Sequence, residues 1–236
     1  MRLVEAEDAF NEVVQSVATG GDRPRRSLRI GAAASILMGL LPELIDALEP
    51  GTSPVIRQAG EAEQARGFAD GQLDVGLQRT RGERREGFIP LPPEPLYVAR
   101  RASGGSVKAP ESLPLAHFAG SRFLIFRREV APVAYDAIIS VIRRSGARFP
   151  IVHYYTDEGD FLGKVACGEG IGIVPESLTR ITAAALRYAR IVDPGATTPL
   201  SIRYAPDSAV ARSAAFALAE RATALRVRPR RDDQRC

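Results

Sequence analysis

Apolar and polar positions along the first third of the chain fall into blocks that change period several times. Leu28-Arg29-Ile30-Gly31-Ala32-Ala33 is a short apolar run bounded by polar residues, the pattern of a buried strand. Apolar residues at helical spacing follow over 36–48, with Ser35 standing where an N-cap would start the helix. Val55-Ile56-Arg57 predicts a second strand, 61–69 a second helix closed by Gly71, and Leu73-Asp74-Val75-Gly76-Leu77 a third strand. This β-α-β-α-β alternation predicts a mainly parallel sheet covered by helices, with ligands at the C-terminal ends of the strands.

The middle of the chain repeats the theme. A strand is predicted at 122–126, a helix at 133–144 ended by Gly146, a strand at 151–155 and a helix at 158–167. Gly168-Glu169-Gly170 then turns the chain into a short buried strand at 171–175. Two extended segments, 96–101 and 200–205, flank this second unit and read as crossovers. The fold class expected is therefore α/β, two αβ lobes joined by a two-strand hinge with a cleft between them. Lobe I is expected over 28–100, completed by 200–225, and lobe II over 101–199. A terminal helix over 207–225 would pack back on lobe I. Leu3, Val4, Phe10, Val13, Val14 and Val17 predict a leading helix over 3–18 within a linker at 1–27, and the charged stretch 226–236 predicts a disordered tail.

Composition narrows the function. The chain has 236 residues, of which 45% are hydrophobic and 25% charged, an ordinary globular balance. Its apolar segments are broken well before the ~18 consecutive residues of a membrane span. The acidic start shows no basic lead into an apolar signal segment, so a cytoplasmic setting and no membrane partner are expected. Cys167 lies in an apolar run and is expected to be a buried thiol, while Cys236 is in the polar tail, so no disulfide is expected. A net charge of +4, from 32 basic and 28 acidic residues, is too modest to argue for nucleic acid. Lysine occurs only at 108 and 164, which reads as composition bias towards arginine and leaves guanidinium groups available to grip a carboxylate. His117 and His153 are the only histidines, and G-x-S-x-G, H-E-x-x-H, P-loop and paired-cysteine spacings are absent. No enzyme activity, cofactor or metal is expected. Gly168-Glu169-Gly170-Ile171-Gly172 is a turn before a strand, the wrong context for a dinucleotide fingerprint.

Three segments carry a resemblance to a known family. They are Leu28-Arg29-Ile30-Gly31-Ala32-Ala33-Ala34-Ser35 running on to Gly39-Leu40-Leu41-Pro42, then Asp70-Gly71-Gln72-Leu73-Asp74-Val75-Gly76, and then Val165-Ala166-Cys167-Gly168-Glu169-Gly170-Ile171-Gly172-Ile173-Val174-Pro175. In this order and spacing the chain resembles the effector-binding region of LysR-type transcription regulators. The resemblance implies the type-2 periplasmic-binding-protein fold, closing on a small-molecule effector. It makes the leading helix similar to the end of the linker that joins sensor to winged helix-turn-helix. That DNA-binding head is not in this chain, so no direct DNA binding by it is expected. The partners implied are a second copy, or full-length regulators in a mixed oligomer. Phe126-Arg127-Arg128-Glu129-Val130-Ala131-Pro132 with Tyr135-Asp136 is similar to the branch governing aromatic-compound degradation, which suggests a small organic, aromatic acid. The alternatives are a stand-alone solute-binding protein and a headless sensor acting by mixed dimerisation.

The resemblance also implies site residues. Ala34 and Ser35 match the segment after the first strand that contacts effector in the family, Ser35 reading equally as a simple N-cap. Glu61 stands where the family often has Thr or Ser. It implies a cationic or hydroxyl-rich effector, a salt bridge with Arg79 or Arg127, or a solvated first-turn carboxylate. Arg79 and Arg127 together would clamp an acid, each alone reading also as a surface residue. Phe126 would stack on a ring or fill the core, and Thr156 and Asp157 lie where lobe II meets the cleft, Asp157 reading also as a helix cap. Asp160 and Lys164, polar where the family is apolar, are spaced to support each other on a helix.

Overall fold

Strand β1 (Arg26–Ala32) fully buries Leu28, Ile30 and Ala32, alternate positions that share one face of the pleat. In the computed structural model, which describes residues 26–102, 111–155 and 157–227, β1 pairs in parallel with β2 (Thr52–Gln58) on one side and β3 (Val75–Gln78) on the other. The helix expected over 36–48 is instead broken into α1 (Ala34–Gly39), α2 (Leu41–Leu44) and a 3-10 turn at Ile45–Ala47. Pro42 explains the break: it has no N–H to give the preceding turn and its ring crowds the carbonyl four residues back. Helix α3 (Glu61–Ala69) has the bounds the periodicity predicted. Its start is secured by Glu63, whose carboxylate accepts from the Gly60 N–H at 2.8 Å. Buried Gln64 donates to the carbonyls of Ala59 and Leu77, which ties the helix to two strand ends.

Beyond β3 the sheet is mainly antiparallel, with its far edge parallel again, which corrects the mainly parallel expectation. Strand β10 (Thr197–Tyr204) runs against β3 and against β4 (Phe88–Arg101), because it returns from the second lobe to the first. The order is β2-β1-β3-β10-β4-β9-β5, with β8 (Gly172–Pro175) also on β4, β9 being Leu186–Ile191 and β5 Glu111–Leu113. β4 has 14 residues, pairing with β10 along its first part and with β8 and β9 along its last. At ~3.3 Å per residue such a strand is long enough to thread both lobes. β4 and β10 are the two crossovers read from the sequence, and both start earlier than expected. β5 and β9 were not expected at all; the Ala- and Arg-containing run before Ile191 has no clear period of two.

In the second lobe, β6 (Phe123–Phe126) and β7 (Ile151–Tyr155) form a parallel pair, linked to the larger sheet by a bridge between Phe123 and Ile171. Helix α4 (Pro132–Ser145) starts with proline in its first turn and stops at Gly146, whose φ of 69° suits a residue without Cβ. Helix α5 (Glu158–Cys167) buries Phe161, Leu162 and Val165 on one face. Cys167 is exposed, contrary to expectation, because it ends the helix away from that face. Phe123, Ile125, Ile138, Val141 and Ile173 form one core of this lobe, and Leu124, Phe161, Val165 and Val174 a second core.

Helix α6 (Ala209–Val227) returns to the first lobe, setting Ala211, Ala214, Ala215, Leu218, Ala219 and Ala222 into the core around Ile30, Ile89 and Ile202. It runs further than expected, so Arg226 belongs to its last turn and not to a tail. The leading helix expected over 3–18 and the stretch 228–236 lie outside the described residues. No described helix is long and apolar enough to cross a membrane. One close approach between the lobes is at Gly39: a Cβ there would lie 2.1 Å from the Ser177 carbonyl oxygen, so only glycine lets α1 pack on the 3-10 segment Glu176–Arg180.

Candidate functional site

Strands β2, β1 and β3 run the same way and in register, Ala32 lying opposite both Gln58 and Leu77. The chain therefore leaves all three strands at one edge, and within three residues it presents Ser35, Glu61 and Arg79 there. Parallel sheets collect chemistry at this edge because the loops that can vary lie there.

Ser35 is buried, and its hydroxyl accepts a hydrogen bond from Arg79 Nε at 3.1 Å. It does not cap α1. Ala33 holds the cap position with no side-chain bond, and Ala34, half-buried, is the first helical residue. Arg79 is only 5% exposed. Its Nη2 lies 2.7 Å from Glu94 Oε2 and 3.3 Å from Ser177 Oγ, while Nη1 is buried without a hydrogen-bond partner among the described residues.

Glu94, in the middle of β4, has no solvent exposure and accepts from both lobes and from the last helix. Arg226 Nη2 lies 2.7 Å from its Oε1, and the Ser177 N–H and hydroxyl approach it at 3.1 and 3.2 Å. Burial alone would raise its pKa, but the two guanidinium groups outweigh burial and hold the carboxyl below its ordinary value. Arg226 also pairs with Glu176, which accepts from the Tyr97 hydroxyl at 3.3 Å. A buried charge needs such partners, since desolvating an unpaired ion costs several kcal/mol, on the order of what a whole domain's stability can bear.

Glu158 opens α5. Burial raises its pKa, helped by neighbouring Asp157 and opposed by its own N–H, by the Arg79 charge and by the Ser35 N–H, which places its carboxyl against α1 of the first lobe. Glu61 also has a raised pKa, from burial, and its Oε1 is buried with no hydrogen-bond partner among the described residues. The salt bridge that the sequence suggested for Glu61 is not made with Arg79, which Glu94 has taken.

The remaining sequence-predicted residues lie in other surroundings. Arg127 is exposed, with its guanidinium carbon 5.3 Å from the centre of the Tyr154 ring, so the two arginines sit in contrasting settings, one buried and one on the surface. Phe126 is half-buried, edge-to-face with Tyr135 and Tyr155 at 6.1 and 5.6 Å between ring centres. Asp157 caps α5, its Oδ1 accepting from the Asp160 N–H at 2.8 Å. Asp160 and Lys164 form the expected pair at 2.7 Å. Thr156 lies outside the described residues.

Sequence reasoning missed Glu94, Glu158, Ser177 and Arg226. One signal for Glu94 was available: it is a lone charge in the apolar, proline-rich run from Phe88 to Tyr97, and a charge so placed is buried and paired more often than not. Separate from this network, a cavity of about 450 Å³ lies among Arg81, Ser140, Arg144 and Thr197. Its two arginines are exposed, and it holds none of the buried unpartnered atoms. Among the described residues the buried side-chain atoms without a hydrogen-bond partner are Glu61 Oε1, Gln64 Oε1, Arg79 Nη1, Thr80 Oγ1 and Thr198 Oγ1. Among the described residues no cluster of His, Cys, Asp and Glu is placed to hold a metal ion.

The model of the LysR substrate binding domain matches residues 21–223. The chain is 26% identical over 241 residues to the HTH-type transcriptional regulator TfdS of Cupriavidus pinatubonensis (strain JMP 134 / LMG 1197), covering 92% of this chain and 78% of that protein. Full-length CbnR complexed with its target DNA superposes with a TM-score of 0.77 at 22% identity, over 94% of this chain and 78% of that one, a likeness of fold. The effector binding domain of BenM with its effector benzoate superposes with a TM-score of 0.67 at 25% identity, covering 83% of this chain and 91% of that domain.

Proposed function

The chain belongs to the family of LysR substrate-binding domains, and on that premise we propose that it is the effector sensor of a transcription regulator, taking a small organic acid between its two lobes. One observation carries the reading: Arg79 is almost wholly buried at the strand edge between the lobes, yet keeps a buried nitrogen without a partner. A buried guanidinium with a free donor is costly unless something occupies it, and a carboxylate meets its geometry. Ser35 and Ala34 at the start of α1, and Glu61 at the start of α3, would line the same space. Across the cleft Asp157 and Glu158 would meet the ligand from α5, while Phe126 and Arg127 would form its outer wall. The BenM domain, similar in fold, is seen with benzoate. Such a sensor works in the cytoplasm and turns nothing over.

The sensor is expected to act as an oligomer. β2 ends the larger sheet as an edge strand, with Val55 and Ile56 50% and 41% exposed. Exposed apolar edge strands are what natural proteins cover, and a second copy of this domain is the cover we propose. Light scattering on Val55→Lys against the parent protein would show dissociation if this is so, and an unchanged mass would refute it.

The sensing role is tested by following the melting temperature against small aromatic acids, dicarboxylates, amino acids and sugars. A ligand that binds only the folded form raises it by mass action. A shift that Ser35→Ala weakens, on protein shown to be folded, is expected. Absence of any shift across all classes would overturn the sensor reading.

A further inference from the structure

Among the first-turn residues of α3 it is Glu63, not Glu61, that binds the Gly60 N–H, so Glu61 is not engaged as the helix cap. Arg79, which leaves β3 at the same edge with β1 between it and the strand before Glu61, is held by Glu94, Ser35 and Ser177. One carboxylate oxygen of Glu61 is thereby left buried and without a partner.

The charges linked to Arg79 point the same way. Two guanidinium groups, Arg79 and Arg226, are linked to the carboxylates Glu94 and Glu176, and Glu158 lies within the field of Arg79. Three carboxylates thus face two guanidiniums before Glu61 is counted. A plain monocarboxylic acid entering here would add a further negative charge to a site already short of positive ones. A molecule with an acid group and an ammonium adds no net charge. It supplies an acceptor for Arg79 Nη1 and donors for Glu61, so these two of the buried unpartnered atoms gain partners at once.

We propose that the effector is a zwitterion, a small amino acid or amine-bearing acid, whose carboxylate meets Arg79 and Ser35 and whose nitrogen donates to Glu61, with Glu158 as a second acceptor. This rests on the sensor reading above and deepens it. The raised pKa values of Glu61 and Glu158, both caused by burial, fit carboxylates whose partner arrives with the ligand. Glu61 is on this account a specificity residue: it selects the amine and leaves recognition of the acid to Arg79.

The test is calorimetric titration of the whole chain, near neutral pH, with the standard amino acids and the aminobenzoates, each paired with its counterpart lacking the amine. The expected result is that an amino member binds about tenfold or more tightly than its partner acid, the low end of what a charge-assisted hydrogen bond supplies. Glu61→Gln, with an unchanged circular dichroism spectrum, should reduce that preference to about threefold or less, since a neutral amide keeps an acceptor but loses the charge. Binding of the deaminated acids as tightly as, or more tightly than, the amino forms would overturn the zwitterion and leave the sensor reading standing. Binding by no member of either series would overturn both.

Discussion

Substituting Arg79 by methionine removes one of two guanidinium partners from a carboxylate that has no solvent exposure. Deleting one partner of a buried pair costs about 3–5 kcal/mol, mostly the cost of the charge left behind. Arg226 remains on the other Glu94 oxygen and methionine keeps much of the arginine volume, so the low end, about 3 kcal/mol, is expected. A domain with about 5–15 kcal/mol of stability survives that loss. With a urea slope of about 2 kcal/mol/M the unfolding midpoint should fall by about 1.5 M. Two further measurements separate this cause from simple loss of packing. Glu94→Gln added to Arg79→Met removes the orphaned charge, and the double variant should be more stable than the single one. The effect of pH should also change sign. In the parent, Glu94 titrates below its ordinary value, so its pair is stabilising above the unfolded carboxyl's range and is lost as pH falls through the lower folded value. With Arg79 gone, burial should win and raise the folded value, so the penalty is full at neutral pH and fades towards acid. The gap between parent and single variant should therefore narrow as pH is lowered. A gap that is flat with pH, or a double variant no better than the single one, would refute the reasoning.

Other expectations follow from single contacts. Gly39→Ala would drive a methyl into the Ser177 carbonyl and force α1 off the 3-10 segment, and a loss of about 1–3 kcal/mol is expected in urea unfolding; no loss would mean that the lobes are not locked there. Glu158→Gln should stabilise the protein at neutral pH. Its folded pKa is raised, so ionisation costs stability above that value, and the gain should vanish below about pH 4, where the unfolded carboxyl is protonated too. A gain that persists in acid would remove ionisation as the cause. Asp157→Ala removes the cap of α5 and should cost about 1 kcal/mol, read as a lower melting temperature, whereas Asp157→Asn should recover most of it.

Much of the fold was legible because it depends on local pattern. The alternation around Leu28 and Ile30, the helical spacing over 61–69, Gly146 and Gly168 as helix ends, and Asp157 as a cap are all properties of a few adjacent residues. Short-range sterics and backbone hydrogen bonding decide them wherever the segment ends up in space. The edge shared by Ser35, Glu61 and Arg79 also followed from the strand-helix alternation. What the sequence could not determine was who pairs with whom across long separations. Glu94 fell within lobe I and was given no element or role, and Arg226 was assigned to a tail. Glu158 was noted merely as the start of a helix. Their meeting depends on β4 threading both lobes and on α6 returning to the first, and a buried ion network forms only where such distant elements exclude water together. The same tertiary exclusion of water turned Ser35 from an expected cap into a partner of Arg79, and left one oxygen of Glu61 buried without a donor among the described residues.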